Sequence, residues 1–238
     1  MKILKIILYS LEYILIALFI IKFFNFYDKN HMTMLVVPLV LSIYYIFYTI
    51  FSVYNIVNIL RKPINEELTK KLNEKYKEVK GSIRVVKDNK FSAYTIHSFI
   101  NDIIVISENI VKELNEDMID VIIYHEIGHI YYRHFERRFM MDVLFATIVV
   151  SVAIYVGFIF SIPFAIFFKW MYIQIIKQHE LEADEYSVMK TRKPEVLKFV
   201  LLMSSQDKTS LFFEHPILSK RIEHIDKIIK TLKQNEHI

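Results

Sequence analysis

Between Thr33 and Leu60 the chain runs for 28 positions without a charged residue, and no other feature narrows its fold so much. At about 1.5 Å of rise per residue, a helix of that length exceeds a hydrocarbon core about 30 Å thick and leaves room for tilt. Lipid offers no partners to backbone N–H and C=O groups, so a segment crossing it must satisfy them internally, as a helix does. A second apolar block, Ile3 to Phe26, is interrupted only by Lys5, Glu12 and Lys22 and is also long enough to cross. No small-residue cleavage pattern follows it, so it reads as a retained span and not as a signal peptide. The flanking charge sets the orientation. Arg61 to Lys90 holds ten Lys or Arg, against Lys29 alone between Phe26 and Thr33. By the positive-inside rule the basic side is cytoplasmic, and two crossings bring the N-terminus with Lys2 and Lys5 to the same side.

A third block, Val143 to Phe168, has 26 positions without charge. As one helix it would span about 39 Å, a single crossing. Broken around Gly157 to Pro163, it would instead form a hairpin of two helices, each short for a full span, and return Lys177, Arg192 and Lys193 to the cytoplasm. Outside these blocks the patterning is that of a folded lobe. Residues 64–80 read as a polar amphipathic helix, and "GSIRVVKD" and "NDIIVIS" as two strands joined through "NKFSAYTIHSF". Ser107 is placed to cap a helix over 108–115, and a second helix is predicted from Asn115 to Asp117 onward, running past His134.

Three Gly and five Pro leave little material for flexible linkers. The chain contains no cysteine, which excludes disulfides and thiolate-bound metals and confines any metal site to His and carboxylate donors. A net charge of +4, without basic residues interleaved with aromatics, gives no reason to expect nucleic acid as a partner.

The chemistry is concentrated at His125-Glu126-Ile127-Gly128-His129. Four residues advance a helix by slightly more than a turn, so both imidazoles leave one face and can share one Zn2+. Glu126 then lies beside water on that ion, placed to act as general base. Gly128 costs a helix about 1 kcal/mol relative to Ala, and close approach of another backbone or side chain is the expected reason. A catalytic zinc site normally takes three protein ligands. The best further candidate is Glu180 in "QHELEAD", with Asp184 four residues on, sharing its helical face and able to fix the tautomer of a ligating histidine. Arg221 is a candidate partner for Asp184. Glu182 and Glu185 read as solvated helix charges, and His97, His134 and His179 as surface histidines.

Taken in order, His125 to His129, Glu180-Leu-Glu-Ala-Asp184 and the later His215-Pro216 with Arg221-Ile222 resemble the membrane metallopeptidases that include the HtpX heat-shock proteases and the CAAX prenyl endopeptidases. The resemblance covers roughly Asn89 to Ile225. It implies Glu180 as third zinc ligand. Through "FSAYTIHSFINDIIVISENIV" it implies an edge strand that binds substrate backbone near Ala93 and Tyr94. It also implies that His215 approaches the metal, to stabilise an oxyanion or to occupy the ion's open position at rest. A shared ion requires an even number of crossings between His125 and Glu180, which selects the hairpin.

The expected architecture is therefore mainly α with a small β-sheet: transmembrane helices plus a cytoplasmic zincin-like metalloprotease domain. Residues 1–60 form two N-terminal transmembrane helices, and 61–238 form the metallopeptidase domain, interrupted by a hydrophobic hairpin at about 139–178. The expected function is zinc-dependent hydrolysis of peptide bonds in membrane or membrane-adjacent proteins, with one Zn2+ per chain. The expected setting is a multi-pass protein of the cell membrane, with lipid and a protein or peptide substrate as partners and N-terminus, active site and C-terminus cytoplasmic. The rival reading is a membrane sensor or regulator with a self-cleaving or structural zinc site.

Overall fold

The computed structural model describes residues 32–77, 81–88, 91–97, 102–205 and 218–235. The first apolar block and His215 lie outside them. In chain order the elements are α1 (Met32–Arg61), α2 (Glu66–Lys75), β1 (Ser82–Val86), β2 (Ala93–Ile96), β3 (Ile103–Ser107), α3 (Glu108–Glu113), α4 (Glu116–Tyr131), α5 (His134–Tyr155), α6 (Phe158–Thr191), α7 (Pro194–Ser205) and α8 (Leu218–Asn235). The protein is thus mostly helical with one small sheet. The chain divides into two compact units, one comprising residues up to Ile50 with Glu136–Ile176, the other Phe51–Phe135 with Lys177–Ile238.

The first unit is built largely of apolar residues. Three helical segments, Leu39–Arg61, α5 and α6, are long and apolar enough to cross a membrane, and the chain is a membrane protein. Within this unit Val40 and Tyr44 of α1 pack with Phe145, Ala146, Val149 and Val150 of α5 and Ala165 of α6. The alanines allow the close approach that holds helices together where lipid is as apolar as the side chains. Outward-facing Ile46, Phe47, Ile159, Phe160 and Phe167 are more than half exposed or nearly so, a surface suited to lipid and costly in water. Buried Asp142 accepts a hydrogen bond from the Tyr48 hydroxyl. The break in the third apolar block falls at Val156 and Gly157, where Gly157 has φ 125°, a conformation open to glycine. Pro163, expected to belong to the break, lies inside α6, where its missing N–H forfeits one bond near the helix start. The helices are also longer than the apolar block, at 22 and 34 residues.

In the second unit β3 is the middle strand, parallel to β1 and antiparallel to β2. The segment joining the two expected strands therefore contributes a strand of its own. All five β3 residues are buried, and their alternation serves two faces. Ile104 and Ile106 join the core with Leu72, Ile83, Ile119 and Ile123, while Ile103 and Val105 face Ile59 and Ile96. The outer edge of β1 is closed by polar groups preceding and within α2. Asn73 accepts from Ile83 N at 2.9 Å and donates to Ile83 O at 2.7 Å. Thr69 Oγ1 accepts from Val85 N at 3.0 Å, and Asn65 N donates to Val85 O at 2.9 Å. Among the described residues no strand pairs with the outer side of β2.

Asn115 caps α4, its side chain accepting from Met118 N, with Glu116 and Asp117 in the first turn, where they complement the helix dipole. Ser107 precedes α3 but makes no side-chain cap; its hydroxyl accepts from Ser92 N. Contrary to expectation, α4 does not run past His134. It ends at Tyr131, and Arg133, at φ 55°, turns the chain into α5. No Gly or Pro marks this turn, so the local sequence carries no signal for it. α7 and α8 pack Leu197, Leu201, Ile225 and Ile228 against Val121 and Val188.

Candidate metal centre and active site

The crossing of α4 and α6 in the second unit builds the site. A Cβ on Gly128 would stand 3.0 Å from Ala183 Cα and 3.1 Å from Tyr186 Cβ, so the glycine admits α6 at backbone contact. Buried Ser187 reinforces the crossing, its hydroxyl donating to Val121 O at 2.7 Å. One turn from this contact, His125 and His129 present their Nε2 atoms 3.3 Å apart. Glu180 faces both, Oε2 3.8 Å from His125 and Oε1 3.5 Å from His129. The three donor atoms lie within 4.8 Å of one another, a group able to hold a metal ion.

Behind His125, Asp184 Oδ1 lies 2.9 Å from Nδ1. Asp184 is fully buried and receives a two-pronged hydrogen bond from Arg221 of α8, at 2.7 Å from Nε and 2.6 Å from Nη2. The same guanidinium stands 3.7 Å from Glu180. Burial opposes the imidazolium form of His125, yet the adjoining Asp184 carboxylate outweighs it and raises the pKa above the ordinary histidine value. Glu126 is also buried. Burial lifts its carboxyl above the usual range, in part offset by His125 and by Thr95. Thr95 Oγ1, on β2, donates to Glu126 Oε2 at 2.7 Å.

The structure thus brings His125, Glu126, His129, Glu180, Asp184 and Arg221 together. Ala93 and Tyr94 open strand β2, which also carries Thr95. Thr95 had no signal in the sequence, because only the strand's approach to α4 gives it a role. Four readings need correction. His134 and His179 are buried, not surface residues: His134 Nδ1 lies 2.8 Å from His129 Nδ1, and the His134 and His179 rings stack 4.1 Å apart. Glu182, expected to be solvated, meets His134 Nε2 at 3.0 Å. His97 is held against Asp102 at 3.1 Å and stacks on Phe135. In each case a neighbour distant in sequence, or across a turn, replaces water.

A helix with paired histidines, crossed at van der Waals contact by a helix bearing Glu180 and Asp184, gives a candidate metal centre in a chain with helices of membrane length. The sequence model of peptidase family M48 matches residues 59–229, and the chain belongs to that family. No curated protein sequence matches it. Among solved structures, the crystal structure of S. mikatae Ste24p is similar in fold, with a TM-score of 0.61 at 18% identity, covering 88% of this chain and 61% of that one. The chain therefore spans about three fifths of that protein's length.

Proposed function

We propose that the protein is a zinc-dependent endopeptidase cleaving proteins in or beside the cell membrane, with Glu126 as general base. One observation carries this reading: the convergence of His125, His129 and Glu180. Zinc bonds of about 2.0–2.1 Å at tetrahedral angles separate donor atoms by about 3.4 Å. The distances here are 3.3, 3.5 and 3.8 Å. Three protein donors leave a fourth position for water or substrate, as catalytic sites require. We assign one Zn2+ per chain to this set.

When bound, zinc supplies Lewis acidity toward water and the scissile carbonyl. The remaining work falls to the chain's own side chains. Glu126 takes a proton from the attacking water and delivers it to the leaving amine, and burial, which raises its pKa, makes it a stronger base than an exposed carboxylate. Thr95 holds one carboxylate oxygen of Glu126 and leaves the other for the proton. Asp184, anchored by Arg221, orients His125. Substrate backbone adds as a strand to the open side of β2 at Ala93 and Tyr94, the only sheet edge among the described residues not closed by side chains. The resemblance assigns His215 either to the oxyanion or to the metal's open position at rest. The N-terminus, site and C-terminus lie on the cytoplasmic side, as the basic stretch Arg61 to Lys90 favours.

The test is Glu126→Gln in full-length protein purified in detergent, assayed on a casein-type substrate with zinc measured alongside. Turnover should fall by at least about 100-fold while one zinc per chain remains. Unchanged turnover removes Glu126 from the chemistry; lost zinc makes it a ligand instead.

A further inference from the structure

We propose that His134 and Glu182 form a positioning pair that fixes the tautomer and orientation of His129, an assignment that rests on the metal reading above. His125 and His129 turn their Nε2 atoms toward each other and toward Glu180. For His129 to ligate through Nε2 as neutral imidazole, its proton must sit on Nδ1. That atom is 2.8 Å from His134 Nδ1, which must then accept. His134 in turn carries its proton on Nε2, and that nitrogen lies 3.0 Å from Glu182 Oε2, an acceptor. Each link determines the next, and the chain ends on a carboxylate that strengthens every donor before it. Both candidate ligands thus have a polar group behind Nδ1, Asp184 at 2.9 Å from His125 and His134, with Glu182 beyond it, at 2.8 Å from His129.

His134, His179 and Glu182 also lie close enough to suggest a second metal. The rings argue against that use. His134 and His179 stack at 4.1 Å with only 6° between their planes, and nitrogen lone pairs lie in the ring plane. Two parallel rings one above the other cannot both aim such a lone pair at one ion. His179 instead supports His134 from its face. The turn at Arg133 makes the arrangement possible. In an uninterrupted helix, position 134 would point well away from position 129, five residues earlier, whereas the left-handed backbone at Arg133 folds His134 back onto it.

The experiment measures zinc dissociation constants by competition with a chromophoric chelator, and metal-to-protein ratios, on the full-length protein in detergent. His134→Phe keeps a ring but removes the acceptor, and should weaken zinc binding about 10- to 100-fold. His134→Asn places an oxygen where Nδ1 was and should restore most of the affinity, a rescue that a purely structural role would not show. Glu182→Gln should give a smaller loss. A His134→Phe constant within about twofold of wild type, or no gain from His134→Asn over His134→Phe, overturns the proposal. So does a wild-type ratio of two zinc ions with one lost outright in His134→Phe, which would make this a second metal site. Should His134→Phe fail to fold, Glu182→Met, on a side chain 21% exposed, carries the same expectation, and an unchanged constant there is equally fatal. Zinc retained in full by His125→Ala would instead overturn the parent reading, a result distinct from all of these.

Discussion

Glu126 shows how the protonation of one buried side chain is tied to stability. Burial raises its pKa in the folded state, so protonation favours the fold. That contribution is complete below the unfolded pKa and is lost as pH rises through the folded value. Glutamine stands in for the protonated form. The zinc-free Glu126→Gln protein should therefore melt with wild type in acid, below about pH 4, and above it by a margin that widens as pH rises. Melting curves in chelator across that range check this; a margin independent of pH would show that the carboxylate carries no burial penalty. At this scale the sequence was informative where residue type and local spacing decide. Two histidines and a glutamate in one helical turn are readable because they share a face whatever the rest of the chain does. Thr95, His134 and Glu182 were not, since each takes its role from a neighbour that periodicity does not place beside it.

The crossing of α4 and α6 is the element on which the site depends, and Gly128 is its narrowest point. Helix propensity alone would favour replacing the glycine, by about 1 kcal/mol for Ala. At 3.0 Å from the Ala183 backbone a side chain must push α6 away. Gly128→Val should lower stability by about 1–3 kcal/mol and weaken zinc binding, readable by thermal melts and chelator competition. An unaffected zinc constant would show that the crossing does not set the spacing of His125, His129 and Glu180. The β2 edge makes a separate prediction. Ser92 O accepts from Ser107 N, and backbone direction alternates along a strand, so Ala93 and Thr95 turn their N–H groups outward. Ala93→Pro removes one of these without touching the ladder to β3. It should raise KM for an extended peptide while melting temperature stays near wild type; an unchanged KM would place substrate elsewhere.

For the molecule as a whole, the two apolar helices after α4 decide sidedness. The chain has no native cysteine, so single introduced thiols report cleanly. A membrane-impermeant maleimide applied to intact cells should label Val156→Cys, at the turn between α5 and α6, whereas Lys71→Cys in α2 should react only after permeabilisation. Labelling of Lys71→Cys in intact cells would reverse the proposed orientation. The apolar blocks, the donor types and a glycine out of place in a helix were all present in the sequence by itself, because hydropathy, charge and helical spacing are properties of neighbouring residues. Only the tertiary structure could decide that Glu180 and Asp184 meet His125 and His129, that β2 closes over Glu126 through Thr95, and that a turn without Gly or Pro folds His134 onto His129. Those contacts depend on how closely two helices cross and where a strand edge is left open, and neither is encoded within a window as short as a helical turn.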